Sequence, residues 1–256
     1  MNTVARWIGQ RLSRYLSQPG RSVSTSPPTD PAKLLACLRR GDVLLVEGNS
    51  RISTAIKYLT QSTWSHAALF VGARAGPLGP DGLPPCLVEA DMVHGVHTVG
   101  LAHFRGLHCR VCRPVSLTPE EAQRVCAFAL DRVGLQYDLK NVWDLARFLL
   151  PAPPVPTRWR RRMLALGSGD PTRAICSTLL AQSFESVRYP ILPDIEALPA
   201  NDTASADSVR EILHVRHHSL YVPRDFDVSP YFQIIKPTLA AGFDHHGLTW
   251  QELAAT

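Results

Sequence analysis

The chain has 256 residues, of which 45% are hydrophobic and 19% are charged, and its formal net charge is +5. This composition excludes a disordered chain and predicts one domain of ordinary size with its own core. Arg6, Arg11, Arg14 and Arg21 all precede the first acidic residue, Asp30. The positive excess is therefore local, and no surface that binds nucleic acid is expected over the domain.

The six cysteines are spread along a chain that is too long to need disulfide staples, which predicts free thiols in a reducing compartment. No apolar run approaches the roughly 18 to 20 residues of a membrane span, and the first residues lack the continuous apolar stretch of a secretory signal. We therefore expect a cytoplasmic protein, soluble or peripheral at a membrane. No cofactor or metal is expected.

Residues 1–30 are predicted to form a basic arm and linker, because apolar side chains recur at helical spacing before Gly20 ends the pattern. These side chains are Val4, Trp7, Ile8, Leu12, Tyr15 and Leu16. Three interpretations stay open: a helix that contacts an anionic membrane through Trp7, Arg11 and Arg14, an organelle transit peptide, or a short helix packed on the domain.

Residues 31–240 are predicted to form a mixed domain of helices and strands, followed by a tail over 241–256. The first elements are a helix over 31–41, a strand over 42–48, a helix over 51–62, and strands over 65–73, 86–91 and 108–115. In the first helix we expect Leu34, Leu35 and Leu38 to face inward. In the second, the apolar face comprises Ile52, Ala55, Ile56 and Leu59.

The helix over 118–134 has the clearest boundaries, with Thr118 as N-cap, Pro119 at the first position and Gly134 just past its end. Its predicted buried stripe comprises Ala122, Val125, Cys126, Ala129 and Val133. Another helix is predicted over 137–150, then a Pro- and Arg-rich insert over 151–171, a helix from Cys176, and a closing strand within 223–237.

Cys176 lies at the predicted start of an amphipathic helix. The residues that share its face are Leu179, Leu180, Ser183, Phe184 and Val187. A buried cysteine is most often a small core residue. At a helix N-terminus, however, unpaired amides and the helix dipole favour the thiolate, and the same amides can bind an oxyanion. The position therefore favours a nucleophile.

A nucleophilic cysteine needs a base and a group that orients this base. His66 begins an apolar strand, where an imidazole is an unusual choice for packing alone. Glu89 lies within the next apolar strand, where a buried charge is costly unless it is paired. If the two strands are antiparallel neighbours, His66 can lie between Cys176 and Glu89.

Four segments carry a family resemblance: "GDVLLVEGNSRISTAIKYLTQSTWSHAALFVG", "LVEAD", "GLQYDLKNVWDLAR" and "AICSTLLAQSF". Together they resemble the circularly permuted papain-fold cysteine hydrolases of the NlpC-type superfamily, in the YiiX/YaeF-like branch. The resemblance covers roughly residues 38 to 190. It implies an α+β fold in which a small antiparallel sheet or barrel packs against helices. It also implies His66 as base, Glu89 as the third, polar member and Cys176 as nucleophile.

The resemblance implies acyl transfer from an amide or ester through a thioester. The backbone amides of Cys176 and Ser177 are candidate oxyanion donors. Tyr137 is a weaker candidate, because Asp138 beside it is typical of a helix N-cap. We expect an N-acyl or lipid-like substrate first and a cell-wall peptide second. Two alternatives stay open: an acyltransferase similar to lecithin:retinol acyltransferase, and a non-catalytic module that binds acyl groups or peptides.

Other motifs are weaker. Cys109 and Cys112 form a single CxxC, which strand alternation explains better than zinc. The double histidines at 217–218 and 245–246 are predicted on the surface. An Arg-rich cluster with one tryptophan is expected to be solvated, with contact to anionic lipid headgroups as the second interpretation. This cluster comprises Trp159, Arg160, Arg161 and Arg162.

Overall fold

The computed structural model describes residues 11, 14–20, 26–73, 84–136, 175–199, 209–214 and 217–247. Its strands are β1 (Val43–Glu47), β2 (His66–Phe70), β3 (Leu87–Asp91), β4 (Gly95–Val99), β5 (His108–Pro114), β6 (Asp194–Pro199), β7 (Val209–His214) and β8 (Phe232–Ile235). Six of them pair in one antiparallel sheet with the order β4-β3-β2-β1-β5-β8, and β6 pairs with β7 in a separate hairpin.

The helices are α1 (Pro31–Cys37), α2 (Arg51–Thr60), α3 (Pro119–Leu130), α4 (Ile175–Glu185), α5 (Pro223–Val228) and α6 (Pro237–Ala240). Polar N-cap side chains fix where α1, α2 and α3 begin. At α3 the Thr118 hydroxyl accepts the Glu121 amide at 3.2 Å, and the Glu121 carboxylate accepts the Thr118 amide at 3.0 Å. Short 3-10 helices cover Leu101–Phe104, His218–Leu220 and His245–Gly247.

The sheet is covered on both faces, because alternate residues of β1 enter two different hydrophobic clusters. Val43 and Leu45 pack in the cluster that α3 and α4 complete. Leu44 and Val46 pack in the other cluster, with α1 and the 3-10 helix Leu101–Phe104. A strand that is buried on both faces reads as a continuous apolar run. The expected α+β architecture, an antiparallel sheet packed against helices, is confirmed.

Several details differ from the sequence prediction. Leu35 is exposed although it lies within α1, and Val133 is exposed because α3 ends before it. The predicted closing strand is a short helix, α5, followed by β8. Strands β4, β6 and β7 were not predicted. The predicted helix over 137–150 and the insert over 151–171 lie outside the described residues.

The described end of the N-terminal arm packs on the domain. Leu16 is only 2% exposed, and the backbone around Pro19 pairs with Ser50 at the start of α2. Two hydrogen bonds fix this contact, from the Gly20 amide to the Asn49 carbonyl at 2.7 Å and from the Arg51 amide to the Gln18 carbonyl at 3.0 Å. Across the described part of the chain, no helix combines the length and apolarity needed to cross a membrane.

Candidate active site

Cys176 is the second residue of α4 and is 4% exposed. Leu179, Leu180 and Phe184, which follow on the same face, are fully buried against the sheet. This packing holds the helix start over β2 and β3. The first amides of a helix have no acceptor within the helix, so they are the groups that can meet a developing negative charge beside the sulfur.

His66 lies between Cys176 and Glu89. It is the first residue of β2, and Glu89 lies in β3, the antiparallel neighbour. The Nε2 atom of His66 is 2.7 Å from Oε2 of Glu89, whose side chain is 1% exposed. The same imidazole is hydrogen-bonded to the Cys176 side chain. The structure thus brings the three predicted residues into one continuous line.

The electrostatics of this line favour a charged thiolate and imidazolium pair. Burial alone raises the pKa of the Cys176 thiol, but the charge of His66 and the hydrogen bond to it outweigh this and lower that pKa. Burial lowers the pKa of His66, but the charges of Cys176 and Glu89 raise it well above its ordinary value. The two groups titrate as one coupled unit, which holds its proton on the imidazole.

Two further groups stabilise the sulfur. The backbone amide of Ala67, next to the proposed base, hydrogen-bonds to Cys176. The Ser177 hydroxyl lies 3.9 Å from the Cys176 sulfur. Both contacts lower the pKa of the thiol. Ser177 is fully buried, and the backbone amides of Cys176 and Ser177 stay the predicted oxyanion donors.

The carboxylate of Glu89 contacts three imidazoles. Besides His66, the Nε2 atoms of His97 and His103 lie 3.1 Å and 3.3 Å from its Oε1 atom. Burial alone raises the pKa of Glu89, but the His66 charge, the hydrogen bonds from His66 and His97, and the His103 charge together hold that pKa well below its usual range. The carboxylate is therefore charged at neutral pH.

His97 and His103 were not predicted as site residues. Glu89 and His97 are direct cross-strand partners in the β3–β4 hairpin, and His103 lies in the 3-10 helix that follows β4. Recognising β4 in the sequence would have placed His97 opposite Glu89, because residues that face each other in an antiparallel pair share one side of the sheet.

A cleft opens at this site, and Cys176, His66 and Glu89 all contribute to its lining. One wall is formed by Ile52, Ile56 and Leu59 of α2, which are half-buried and line the cleft, whereas Ala55 on the same helix is buried. The apolar lining comprises Ile52, Ile56, Leu59, Phe104 and Leu107.

The other residues singled out in the sequence either do not line this cleft or lie outside the described residues. Cys109 and Cys112 lie in different hydrophobic clusters on opposite faces of the sheet, so they cannot share a metal ion. Burial raises the pKa of the Cys109 thiol to about 12. Arg11 and Arg14 are exposed. Trp7, Tyr137, Trp159, Arg160, Arg161 and Arg162 lie outside the described residues.

Three comparisons with known proteins describe what this chain is similar to. Residues 37–148 match the family model described as permuted papain-like amidase enzyme, YaeF/YiiX, C92 family, which supports a hydrolase or amidase role. A search of the curated proteins finds no match. Among solved structures, the chain is similar to the metalloprotein yiiX from Escherichia coli O157:H7, with 16% identity, a TM-score of 0.43, and coverage of 77% of this chain and 96% of that chain.

Proposed function

We propose that this chain, whose residues 37–148 match the model of the permuted papain-like amidase family, is a thiol hydrolase that cleaves an amide or ester bond with Cys176. The single observation that carries the proposal is the hydrogen-bonded line from the Cys176 sulfur through His66 to Glu89 at the floor of a cleft. A nucleophile, its base and an orienting carboxylate are the groups that covalent acyl transfer requires.

The reaction begins when the Cys176 thiolate attacks the carbonyl carbon of the substrate. The oxygen of the tetrahedral intermediate takes the negative charge and faces the first amides of α4, those of Cys176 and Ser177. His66 gives its proton to the leaving amine or alcohol, and a thioester remains on the sulfur. His66 then removes a proton from water, which attacks the thioester and releases the acid. Glu89 keeps the imidazole oriented and balances its charge.

The cleft favours a substrate with an apolar group beside the reacting carbonyl. Its α2 wall exposes isoleucine and leucine side chains that would gain roughly 25 cal/mol per Å² on covering by an alkyl chain. This supports an N-acyl or lipid-like amide or ester as the substrate, ahead of a cell-wall peptide. With Ile56→Asn, kcat/KM should fall for a long acyl chain and stay within about twofold for an acetyl analogue.

The proposal is tested by labelling the full chain with an electrophilic acyl probe and assaying hydrolysis of a fluorogenic acyl amide. Cys176→Ala should abolish the label and lower kcat at least about 1000-fold. Cys37→Ser is the matched control, because Cys37 is a half-buried thiol with a raised pKa, due mainly to burial, outside the cleft. A folded Cys176→Ala protein that turns over the substrate would end the nucleophile assignment.

Two alternatives are outcomes of the same assay. An acyltransferase like lecithin:retinol acyltransferase would share the thioester but pass its acyl group to an alcohol or amine, so product analysis with an added acceptor distinguishes it from a hydrolase. A non-catalytic binding module would bind the acyl ligand with no covalent adduct at Cys176.

We also propose contact with an anionic membrane through the basic N-terminal arm and the Arg-rich cluster. The exposed guanidinium groups of Arg11 and Arg14 support this for the described part of the arm. Changing Arg160, Arg161 and Arg162 together to alanine should reduce sedimentation with phosphatidylserine vesicles. Equal sedimentation of the variant and the wild type would show that the cluster does not bind the membrane.

A further inference from the structure

The turn between β3 and β4 holds one carboxylate and two imidazoles at the rim of the cleft. The Oδ2 atom of Asp91 lies 2.8 Å from Nδ1 of His94 and 3.9 Å from Nε2 of His97. All three ligand atoms fall within 4.8 Å of one another. We propose that Asp91, His94 and His97 bind one divalent transition-metal ion of the Zn²⁺ class.

Hydrogen bonds hold Asp91 and His97 in place at this point, and an ion would replace the proton that His94 shares with Asp91. The other carboxylate oxygen of Asp91, Oδ1, accepts the backbone amides of Val93, at 2.7 Å, and His94. The Nδ1 atom of His97 lies 3.1 Å from the Gly95 carbonyl, to which it donates its proton. The Nε2 atom of His97, which lies 3.1 Å from Glu89, must therefore give up its proton and this hydrogen bond when an ion binds. Histidines that bind metals are typically fixed in this way, with the second ring nitrogen donating to a carbonyl.

The backbone that carries these residues is fixed by a second segment. The Val96 amide donates to the Leu135 carbonyl at 2.9 Å, and the Gln136 side-chain amide donates to the His94 carbonyl at 3.0 Å. Gly95 has a φ of 71°, and a Cβ atom there would lie 2.2 Å from the Leu135 carbonyl oxygen. The turn thus has one close-packed conformation, so a metal ion needs little rearrangement to bind.

Two imidazoles and one carboxylate favour zinc and its neighbours over Ca²⁺ or Mg²⁺, which prefer oxygen ligands alone. The His94 side chain is 64% exposed, which leaves room for water as a fourth ligand. The Nε2 atom of His97 is also 3.1 Å from Glu89. A bound ion would therefore compete for the ring that contacts the carboxylate behind His66. The site itself does not depend on the proposed hydrolysis.

The chain supplies a matched control for this proposal. Asp244, His245 and His246 form a second carboxylate and imidazole cluster, but all three are exposed and consecutive in the sequence. In that cluster Asp244 accepts the His246 amide at 3.0 Å. It has the same donor set on a different segment of the chain, so it shows what an exposed cluster alone can bind.

The test uses the untagged full chain with Cys176→Ala, so that neither the thiolate nor enzyme activity affects the result. After dialysis against a chelator, calorimetric titration with Zn²⁺ should show one ion per chain, and titration with Ca²⁺ should show no binding. Adding His94→Ala should weaken Zn²⁺ binding at least about tenfold. Adding His246→Ala should leave it unchanged.

Co²⁺ provides a spectroscopic readout of the same site. The visible absorption bands of protein-bound Co²⁺ should appear in the Cys176→Ala protein and be lost with His94→Ala. Zn²⁺ affinity that is unchanged by His94→Ala, or that is lost instead with His246→Ala, would overturn the proposal.

Discussion

Replacing His66 by glutamine should return Cys176 to the behaviour of an ordinary buried thiol. Cys109 shows what that behaviour is: like Cys176 it is 4% exposed, and burial raises its pKa to about 12. In the wild type the pKa of Cys176 is instead lowered below the ordinary 9.0, mainly by the charge of His66 against the cost of burial. Loss of the imidazole should therefore raise the pKa of Cys176 above its ordinary value, because burial then acts without an opposing charge.

The rate of thiol–disulfide exchange at neutral pH measures this change. The thiolate fraction should fall by more than the more basic thiolate gains in nucleophilicity, so exchange should slow at least about tenfold. The assay follows reaction of Cys176 with a small aromatic disulfide at pH 7, with the adduct located by mass spectrometry. Cys37 in the same molecule is an internal reference.

His103→Gln is the matched variant, because His103 contacts Glu89 at 3.3 Å without being hydrogen-bonded to the sulfur. It should change the exchange rate by less than about threefold. If folded His66→Gln reacted at Cys176 as fast as the wild type, the imidazole would not be what sustains the thiolate, and the proposed ion pair would be refuted.

Two other predictions concern pH and the β3–β4 turn. Because the pKa of Cys176 is lowered, kcat/KM should rise with pH below the usual range of a thiol pKa. Because the pKa of His66 is raised, kcat/KM should fall only above the usual range of an imidazole pKa. A maximum of kcat/KM confined near pH 9 would contradict the ion pair. In Gly95→Ala the new Cβ meets a backbone carbonyl at 2.2 Å, so urea denaturation should show a loss of more than about 2 kcal/mol in the free energy of unfolding. Gly134→Ala, with open space around the new Cβ, should lose about 1 kcal/mol. Equal losses in the two variants would refute the steric argument.

The sequence carried enough local information for most of the sheet and for the helix at Cys176. Apolar runs such as residues 43–47 need no knowledge of their partners, since any strand that is buried on both faces reads this way. The α3 boundaries also follow from local chemistry, the reciprocal bonds of Thr118 and Glu121. Glu89 could also be predicted from local sequence, because a carboxylate within an apolar strand is costly unless it is paired.

Strand β4 was not predicted because residues outside the strand stabilise it. Its sequence, Gly95 to Val99, is short and contains glycine and histidine, which is typical of a turn. The strand forms because β3 supplies its ladder and the segment after α3 fixes its first residues. His97 and His103 were missed for the same reason, since only the pairing with β3 reveals that they face Glu89.

The docked end of the N-terminal arm also takes part in the cleft, because Ser17 contributes to its lining next to the start of α2. A ligand that touches Ser17 interacts with the docked conformation and not with an arm that has detached. By thermodynamic reciprocity, such a ligand must strengthen docking by the same factor by which docking strengthens its own affinity. Docking of the arm and binding in the cleft are therefore thermodynamically coupled. A bilayer or protein that bound the arm would change the affinity of the cleft for its ligand.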